Sequence, residues 1–137
     1  MKKILFTLLL VIGVAVAANA QVRFTDKNLD AVREEATQQN KLVFIDLYAT
    51  WCGPCKNMER NVFSQPEVGD FMAQHFIAAK YDIDKPTGSA LAKKYGIRSI
   101  PTFLIFDTEG TLLGQITGGM PADDFIRAVE EILKKHK

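Results

Sequence analysis

The sequence contains few cysteines and histidines and has almost no net charge. Its 137 residues include two cysteines and two histidines, and 17 basic residues stand against 16 acidic ones. A chain so close to neutrality has no basic field that could hold nucleic acid by counterion release. We therefore expect no nucleic-acid partner, and nothing in the composition calls for a cofactor.

Internal repeats, low-complexity tracts and linkers rich in proline and serine are also absent from the sequence. Hydrophobic residues make up 47% of the chain and charged residues 24%, which is typical of a globular protein and not of a disordered one. The length fits one ordinary domain. We expect a single folded domain that is a monomer.

The first 20 residues differ in composition from the rest of the chain. Lys2 and Lys3 precede an uncharged run at residues 4–18, which ends in the small-x-small pattern Ala18-Asn19-Ala20. This pattern predicts a secretory signal peptide over residues 1–20, cleaved after Ala20, with residues 21–137 as the exported domain. The run is shorter than the roughly 20 residues that span a bilayer, although an uncleaved anchor remains an alternative.

Apolar residues alternate between helical and strand spacing along the rest of the chain. Helices are predicted at residues 26–40, 54–61 and 87–95 and from Pro121 onwards, with another helical stretch opened by a capping box at Ser64-Gln65-Pro66-Glu67. Strands are predicted at residues 42–48, 76–83, 102–106 and 112–116, the last two joined as a hairpin. This order predicts an α/β sandwich with a mixed sheet.

Cys52 and Cys55 are separated by Gly53-Pro54. A bridge across two residues closes too short a loop to stabilise the fold much, and a zinc site would need four ligands, so redox chemistry is favoured over both alternatives. Cys52 is predicted at the first turn of a helix, where unpaired N–H groups and the helix dipole stabilise a thiolate. We expect Cys52 to attack disulfides and Cys55, one turn later, to resolve the mixed disulfide.

Asp46 lies inside the apolar strand that leads into the cysteine motif. A buried carboxyl group has a raised pKa, so Asp46 is a candidate proton acceptor for Cys55. The alternatives are a core aspartate with satisfied hydrogen bonds or a strand register that exposes it. Lys80 interrupts a second apolar run and is the expected charge partner of Asp46. Trp51 either caps the core or offers a flat contact surface to a polypeptide.

The segment Trp51-Cys52-Gly53-Pro54-Cys55-Lys56, with Asp46 upstream and residues 95–102 downstream, resembles the thioredoxin family over about residues 41–133. The resemblance implies the thioredoxin-like three-layer sandwich, a mixed central sheet with helices on both faces. It also implies that Cys52 is an exposed nucleophile, that Cys55 resolves, and that Asp46 is a buried acid with Lys80 as its basic neighbour.

The same resemblance implies a groove for an extended substrate chain beside the cysteines. Pro101 matches the family's cis-proline and Gly118 the glycine beside the groove, and a cis bond would present the Ile100 backbone to a peptide. A trans proline at the start of an edge strand is the alternative. The full set of groove residues expected from the sequence is Trp51, Gly53, Pro54, Ile100, Pro101 and Gly118.

Several positions depart from the cytosolic thioredoxin pattern. Tyr48 stands where that family often has a second tryptophan, and Arg60 replaces a proline in the motif helix. Residues 57–68 look more like exported thioredoxin-like proteins and the periplasmic domain of the thiol:disulfide interchange protein. The resemblance thus implies a periplasmic protein of a Gram-negative bacterium, free of the membrane after cleavage, with disulfide-containing clients and a membrane thiol protein as electron donor.

The direction of electron flow remains open between several functions. Gly53-Pro54 resembles reducing members of the family, whereas the family of disulfide donors carries Pro-His between its cysteines. We therefore expect a reductase of exported proteins, with an oxidase or isomerase and a thiol reductant in cytochrome c maturation as alternatives. A module that binds peptides without turnover is the non-enzymatic alternative.

Overall fold

A mixed sheet lies at the centre of the computed structural model, which describes residues 20–137. In this part of the chain the strands are β1 (Phe24–Thr25), β2 (Leu42–Tyr48), β3 (Phe76–Asp82), β4 (Thr102–Phe106) and β5 (Leu112–Thr117). The helices are α1 (Leu29–Gln39), α2 (Gly53–Asn61), α3 (Pro66–His75), α4 (Pro86–Lys94) and α5 (Ala122–Lys135). Except for Ala20, the predicted signal peptide lies outside the described residues.

The strands follow the order β1-β3-β2-β4-β5 across the sheet. Strands β1, β3 and β2 are parallel, whereas β4 runs antiparallel to β2 and β5 antiparallel to β4. Strand β2 therefore has a neighbouring strand on each side, and its continuous apolar sequence reflects the burial of both of its faces. The predicted mixed α/β sheet is confirmed. Strand β1 was not predicted, because two residues are too few to show the alternation of a strand.

Alternate residues of β2 enter two separate cores. Phe44 packs with Phe103 and Phe125 on the face that also holds Met58 of α2. Val43, Ile45 and Leu47 pack on the other face against residues of α1 and α4. Helices therefore cover both faces, as the three-layer prediction requires. Asp46 has the same parity along β2 as Phe44, so its side chain lies on the α2 face.

The predicted capping box at the start of α3 is wrong. Gln65 occupies the cap position and makes no side-chain hydrogen bond to the helix. The Ser64 hydroxyl instead donates to the Arg60 carbonyl at 2.6 Å, at the end of α2. Pro66 begins α3 without a cap because its ring sets a helical φ and its missing N–H needs no partner.

Helix α4 ends as its sequence predicts. Its last residue is Lys94, and Gly96 follows with a φ of +63°. Glycine adopts this left-handed conformation without steric cost, which allows the chain to turn into the loop at residues 95–101, called the Ile100 loop below. Within residues 20–137, no helix has the length and apolar character that crossing a membrane requires.

Candidate active site

The cysteine motif begins three residues beyond the end of β2. Cys52 has extended backbone angles and caps α2, and its Sγ accepts a hydrogen bond from the Cys55 N–H at 3.2 Å. The Cys52 N–H in turn donates to the Ala49 carbonyl at 3.2 Å. Pro54 lies in the first turn, where its missing N–H leaves no bond unmade. The predicted position of Cys52 at the helix start is confirmed.

Cys52 and Cys55 form a disulfide, with their Cα atoms 5.3 Å apart. The expectation that Cys52 is exposed is wrong for this oxidised form, because Cys52 is 3% exposed and Cys55 is 8% exposed. The bond holds the Cys52 Sγ against the core side of the helix start, 3.7 Å from the Ile100 carbonyl oxygen. Ala49 and Ile100 pack against the disulfide and cover it.

The predicted groove residues form neighbouring loops beside the disulfide. The Ile100–Pro101 peptide bond is cis, so the trans alternative is wrong. Gly118 has a φ of +93°, and its N–H donates to the Pro101 carbonyl at 2.8 Å. A Cβ atom on Gly119 would lie 3.6 Å from the Pro54 carbonyl oxygen, so this loop also passes beside the start of α2.

Trp51 lies on the surface at the start of the motif. Its side chain is 66% exposed, so the alternative that Trp51 caps the core is wrong. The indole N–H donates to Asp84 Oδ2 at 2.8 Å, which fixes the orientation of the ring. A flat, oriented indole of this kind is suited to contact with a polypeptide.

Asp46 is a buried carboxyl group without a hydrogen-bond partner for one of its oxygens. The residue is 7% exposed, and Oδ1 accepts no hydrogen bond from any described residue. Burial raises the pKa of Asp46 from 3.8 to about 7, while the Lys80 charge opposes this rise and the Glu59 charge adds to it. Both alternatives are therefore wrong, since Asp46 is neither exposed nor fully hydrogen-bonded.

Lys80 is the direct neighbour of Asp46 in the register of β2 and β3. It is thus the basic neighbour that the sequence predicts, and its charge lowers the pKa of Asp46, but among residues 20–137 no ion pair within 4.0 Å joins the two side chains. The Lys80 Nζ instead lies 3.9 Å from Glu59 Oε2 and 4.5 Å from the centre of the Tyr48 ring. The ammonium group is thus directed to the surface and interacts with Asp46 only at longer range.

A cavity of about 280 Å³ lies behind the disulfide, and both Asp46 and Cys55 line it. Its other lining residues are Phe24, Tyr48, Ala49, Thr50, Lys56, Glu59, Phe63 and Lys80. The carboxyl group and Cys55 therefore share one space that also reaches the Lys80 and Glu59 charges. Once the disulfide is reduced, a thiol and a carboxyl group in one cavity are suited to exchange a proton.

Glu59 and Tyr48 also line the cavity and were not among the site residues expected from the sequence. Glu59 follows Cys55 by four residues, which places both on the same face of α2, so the helical spacing could have identified it. Tyr48 was noted only as a departure from a family pattern. Its contact with Lys80 depends on the pairing of β2 with β3, which no local signal in the sequence gives.

Known proteins share this fold. The family described as "Thioredoxin-like domain" matches residues 29–133. "Thioredoxin Y, chloroplastic" of Oryza sativa subsp. japonica is 32% identical, over 88% of this chain and 68% of its own length. A solution structure from Bacteroides thetaiotaomicron, provisionally assigned as a disulphide isomerase, is 31% identical with a TM-score of 0.77, over 85% of this chain and 97% of its own.

"Thiol:disulfide interchange protein DsbD" of Haemophilus influenzae is 32% identical over 83% of this chain. The match covers 21% of that protein, so this chain spans about a fifth of its length. The family match over residues 29–133 includes strands β2 to β5 and the Cys52–Cys55 disulfide. The chain belongs to the thioredoxin-like domain family and is a thiol-disulfide oxidoreductase with a disulfide-bonded Cys52–Cys55 pair.

Proposed function

We propose that this oxidoreductase reduces disulfides in exported polypeptides. The observation that carries the proposal is the cavity lined by both Cys55 and Asp46, whose Oδ1 has no hydrogen-bond partner among the described residues. A dithiol with an adjacent buried base can complete both halves of an exchange reaction. The electrons come from the reduced Cys52–Cys55 dithiol and pass to the client disulfide.

The reaction proceeds in two displacements. The Cys52 thiolate attacks one sulfur of the client disulfide, so that a mixed disulfide forms and the first client thiolate leaves. Cys55 then gives its proton to Asp46 and attacks the Cys52 sulfur. The Cys52–Cys55 disulfide forms, the second client thiolate leaves, and the client has gained two electrons. The Asp46 proton returns to solvent through the cavity.

The groove would hold the client chain beside Cys52 during this exchange. The proposal assigns client contact to the exposed Trp51, to Gly53 and Pro54 at the helix start, and to the loops of Pro101 and Gly118. The Ile100 carbonyl lies 3.7 Å from the Cys52 Sγ, so a chain paired with the Ile100 backbone would bring its own sulfur close to the nucleophile. Lys80 acts on the proton transfer through its charge.

The Gly53-Pro54 dipeptide supports reduction as the direction of exchange. The reduction potential of thioredoxin is about −270 mV, and that of the strongly oxidising disulfide donor is about −120 mV. The difference between them corresponds to about 7 kcal/mol for a two-electron couple. We expect a value near that of thioredoxin and reduction of insulin disulfides with dithiothreitol as reductant. A potential above about −180 mV, measured against glutathione, would contradict the reductase assignment.

A disulfide isomerase is the second candidate function. It is favoured by the likeness to the Bacteroides thetaiotaomicron structure, of which this chain covers 97%. Refolding of scrambled ribonuclease separates the two candidates, because an isomerase restores native pairing in a glutathione buffer whereas a reductase leaves free thiols. A specialised thiol reductant for cytochrome c maturation would reduce an apocytochrome disulfide and leave insulin unreacted.

The signal-like first 20 residues and the likeness to DsbD support a proposal for the cell compartment and the electron donor. We place the mature chain in the periplasm of a Gram-negative bacterium, where a membrane thiol protein re-reduces it. N-terminal sequencing of the exported protein should begin at Gln21. A chain that keeps residues 1–20 and stays with membranes would indicate an anchor.

The catalytic proposal is tested against simple peptide binding by two cysteine variants. Cys55→Ser should trap clients as stable mixed disulfides through Cys52, since the resolving thiol is missing. The double variant Cys52→Ser/Cys55→Ser should neither trap clients nor support growth of cells that need the protein. Full biological activity of the double variant would establish a peptide-binding module.

A further inference from the structure

The position of Lys80 is determined by contacts that lie away from Asp46. Its ammonium group lies 4.5 Å from the centre of the Tyr48 ring and 6.0 Å from that of Phe24. Both distances are within the range of cation–π attraction. Glu59 supplies the one ion pair of Lys80 found within residues 20–137, at 3.9 Å.

The ring contributes more to this position than the ion pair does. The Glu59 side chain is 68% exposed, and a solvent-exposed pair at this distance contributes little free energy. Tyr48 is half-buried at the end of β2, and its backbone carbonyl accepts from the Ile83 N–H at 2.9 Å. The backbone that carries the ring is therefore held by the sheet, whereas the Glu59 carboxylate extends into solvent.

Lys80 would otherwise be free to approach Asp46. The two residues are register partners on adjacent parallel strands, about 5 Å apart, and a lysine side chain is longer than this distance. Asp46 Oδ1 has no hydrogen-bond partner among the described residues and would gain one. A direct pair would stabilise the ionised carboxyl and make it a weaker base for Cys55.

We propose that Tyr48 is a positioning residue whose ring holds Lys80 at the mouth of the cavity and prevents it from pairing directly with Asp46. The proposal rests on the proposed role of Asp46 as the base for Cys55, and it adds the residue that sets the strength of that base. Glu59 is the outer, weaker contact of the same lysine.

All the charged and titratable groups around Asp46 are consistent with this arrangement. Strand β4 contributes the uncharged Phe103 beside Asp46. The ionisable groups that line the cavity with Asp46 are Lys80 from β3, Glu59, Lys56 and Cys55 from α2, and Tyr48 from β2 itself. Burial raises the pKa of the Tyr48 hydroxyl and the Asp82 charge raises it further, so Tyr48 stays neutral at pH 7 and acts through its ring.

The test removes the ring and follows the titration of Asp46. In Tyr48→Leu, Lys80 is free to pair with Asp46, so the Asp46 midpoint should move down by about one pH unit. Tyr48→Phe keeps the ring and should leave the midpoint in place. Tyr95→Leu is the matched control, because it removes another tyrosine ring under a lysine, Lys94 at 5.4 Å, away from the cavity.

The midpoint is read from the side-chain carboxyl carbon of Asp46 by NMR in the oxidised protein. This midpoint does not depend on turnover, so it can still be measured and compared if Asp46 is not the base for Cys55. In a Lys80→Met background, Tyr48→Leu should no longer move the midpoint, because Tyr48 acts through Lys80. An unchanged midpoint in folded Tyr48→Leu, or an equal shift without Lys80, would overturn the proposal. If Tyr48→Leu does not fold, Tyr48→Met replaces it with the same expected shift.

Discussion

Two aspartates of the same sheet are buried to the same extent and differ in their partners. Asp46 in the middle of β2 and Asp82 at the end of β3 are each 7% exposed. Asp82 Oδ1 accepts a hydrogen bond from the Asp84 N–H at 2.9 Å, in a turn that also orients Asp84 towards Trp51. Asp46 Oδ1 accepts none from the described residues, and its other neighbour in the sheet is Phe103.

The difference shows that burial alone does not identify a reactive carboxyl group. A buried carboxylate that accepts backbone N–H groups is stabilised in its charged form and supports the local fold. A buried carboxyl without donors is costly to ionise, and this cost makes it a base near neutral pH. Asp82 is a structural group in a turn, whereas Asp46 lines the same cavity as Cys55.

The largest expected effect is on stability. Asp46→Asn should raise the free energy of unfolding of the oxidised protein at pH 8, because a neutral amide needs no charge in the core. The difference between the pKa values of 3.8 and about 7 corresponds to a gain of about 4 kcal/mol at most. Urea unfolding at pH 8 measures it, with Asp82→Asn as the control that should show no gain.

The stability that Asp46→Asn gains over the wild type should increase as the pH rises. The folded protein holds the Asp46 proton up to about pH 7, whereas the unfolded chain releases it near 3.8. The wild type therefore loses stability as the pH rises from about 4 to about 7, and the loss stays constant above that range. Asp46→Asn should lack this loss, so the two proteins should be closest in stability below pH 4.

The next effect is on the rate of client reduction. Asp46→Asn should slow turnover of insulin by about 100-fold at pH 7.5, since the second displacement loses its base. In a Cys55→Ser background, which stops after the first displacement, Asp46→Asn should leave the rate of mixed-disulfide formation nearly unchanged. Slowing of both steps to the same extent would mean that Asp46 acts on Cys52 rather than on Cys55.

A smaller effect is expected at Asp82. Asp82→Ala removes the acceptor of the Asp84 N–H and should lower the free energy of unfolding by about 1 to 2 kcal/mol. Asp82→Asn keeps an acceptor oxygen and should cost less. Because neither change touches the cavity behind Cys55, the rate of insulin turnover should stay within about twofold of the wild-type rate. A loss of turnover as large as that of Asp46→Asn would contradict the distinction between the two aspartates.

The strongest sequence signals predicted the fold well. The apolar run of β2 and the proline at the start of α2 act locally, so their positions could be inferred from neighbouring residues alone. The two-residue β1 carries too few residues for a period to emerge. At Ser64 a local capping signal was present, but the hydroxyl donates to a carbonyl at the end of the preceding helix and accepts no N–H of α3.

The central members of the site could be predicted, whereas their contacts could not. Cys52 and Cys55 were identified from their spacing, and Asp46 because a carboxyl group interrupts an apolar strand. The partner of Lys80 could not be predicted, since Glu59 and Tyr48 reach it only after α2 packs over β2 and β3. Nor could the burial of Cys52 be predicted, because it depends on the Ile100 loop, about 50 residues away.

The central claim is that Asp46 takes the proton of Cys55, and the pH dependence of mixed-disulfide resolution tests it most directly. A mixed disulfide between Cys52 and a small thiol, followed by stopped flow, isolates the second displacement. In the wild type its rate should rise with pH through a midpoint of about 7 and then level off, as Asp46 ionises. In Asp46→Asn that midpoint should disappear and the rate at pH 7 should fall by about 100-fold. The same rate and midpoint in both proteins would contradict the account.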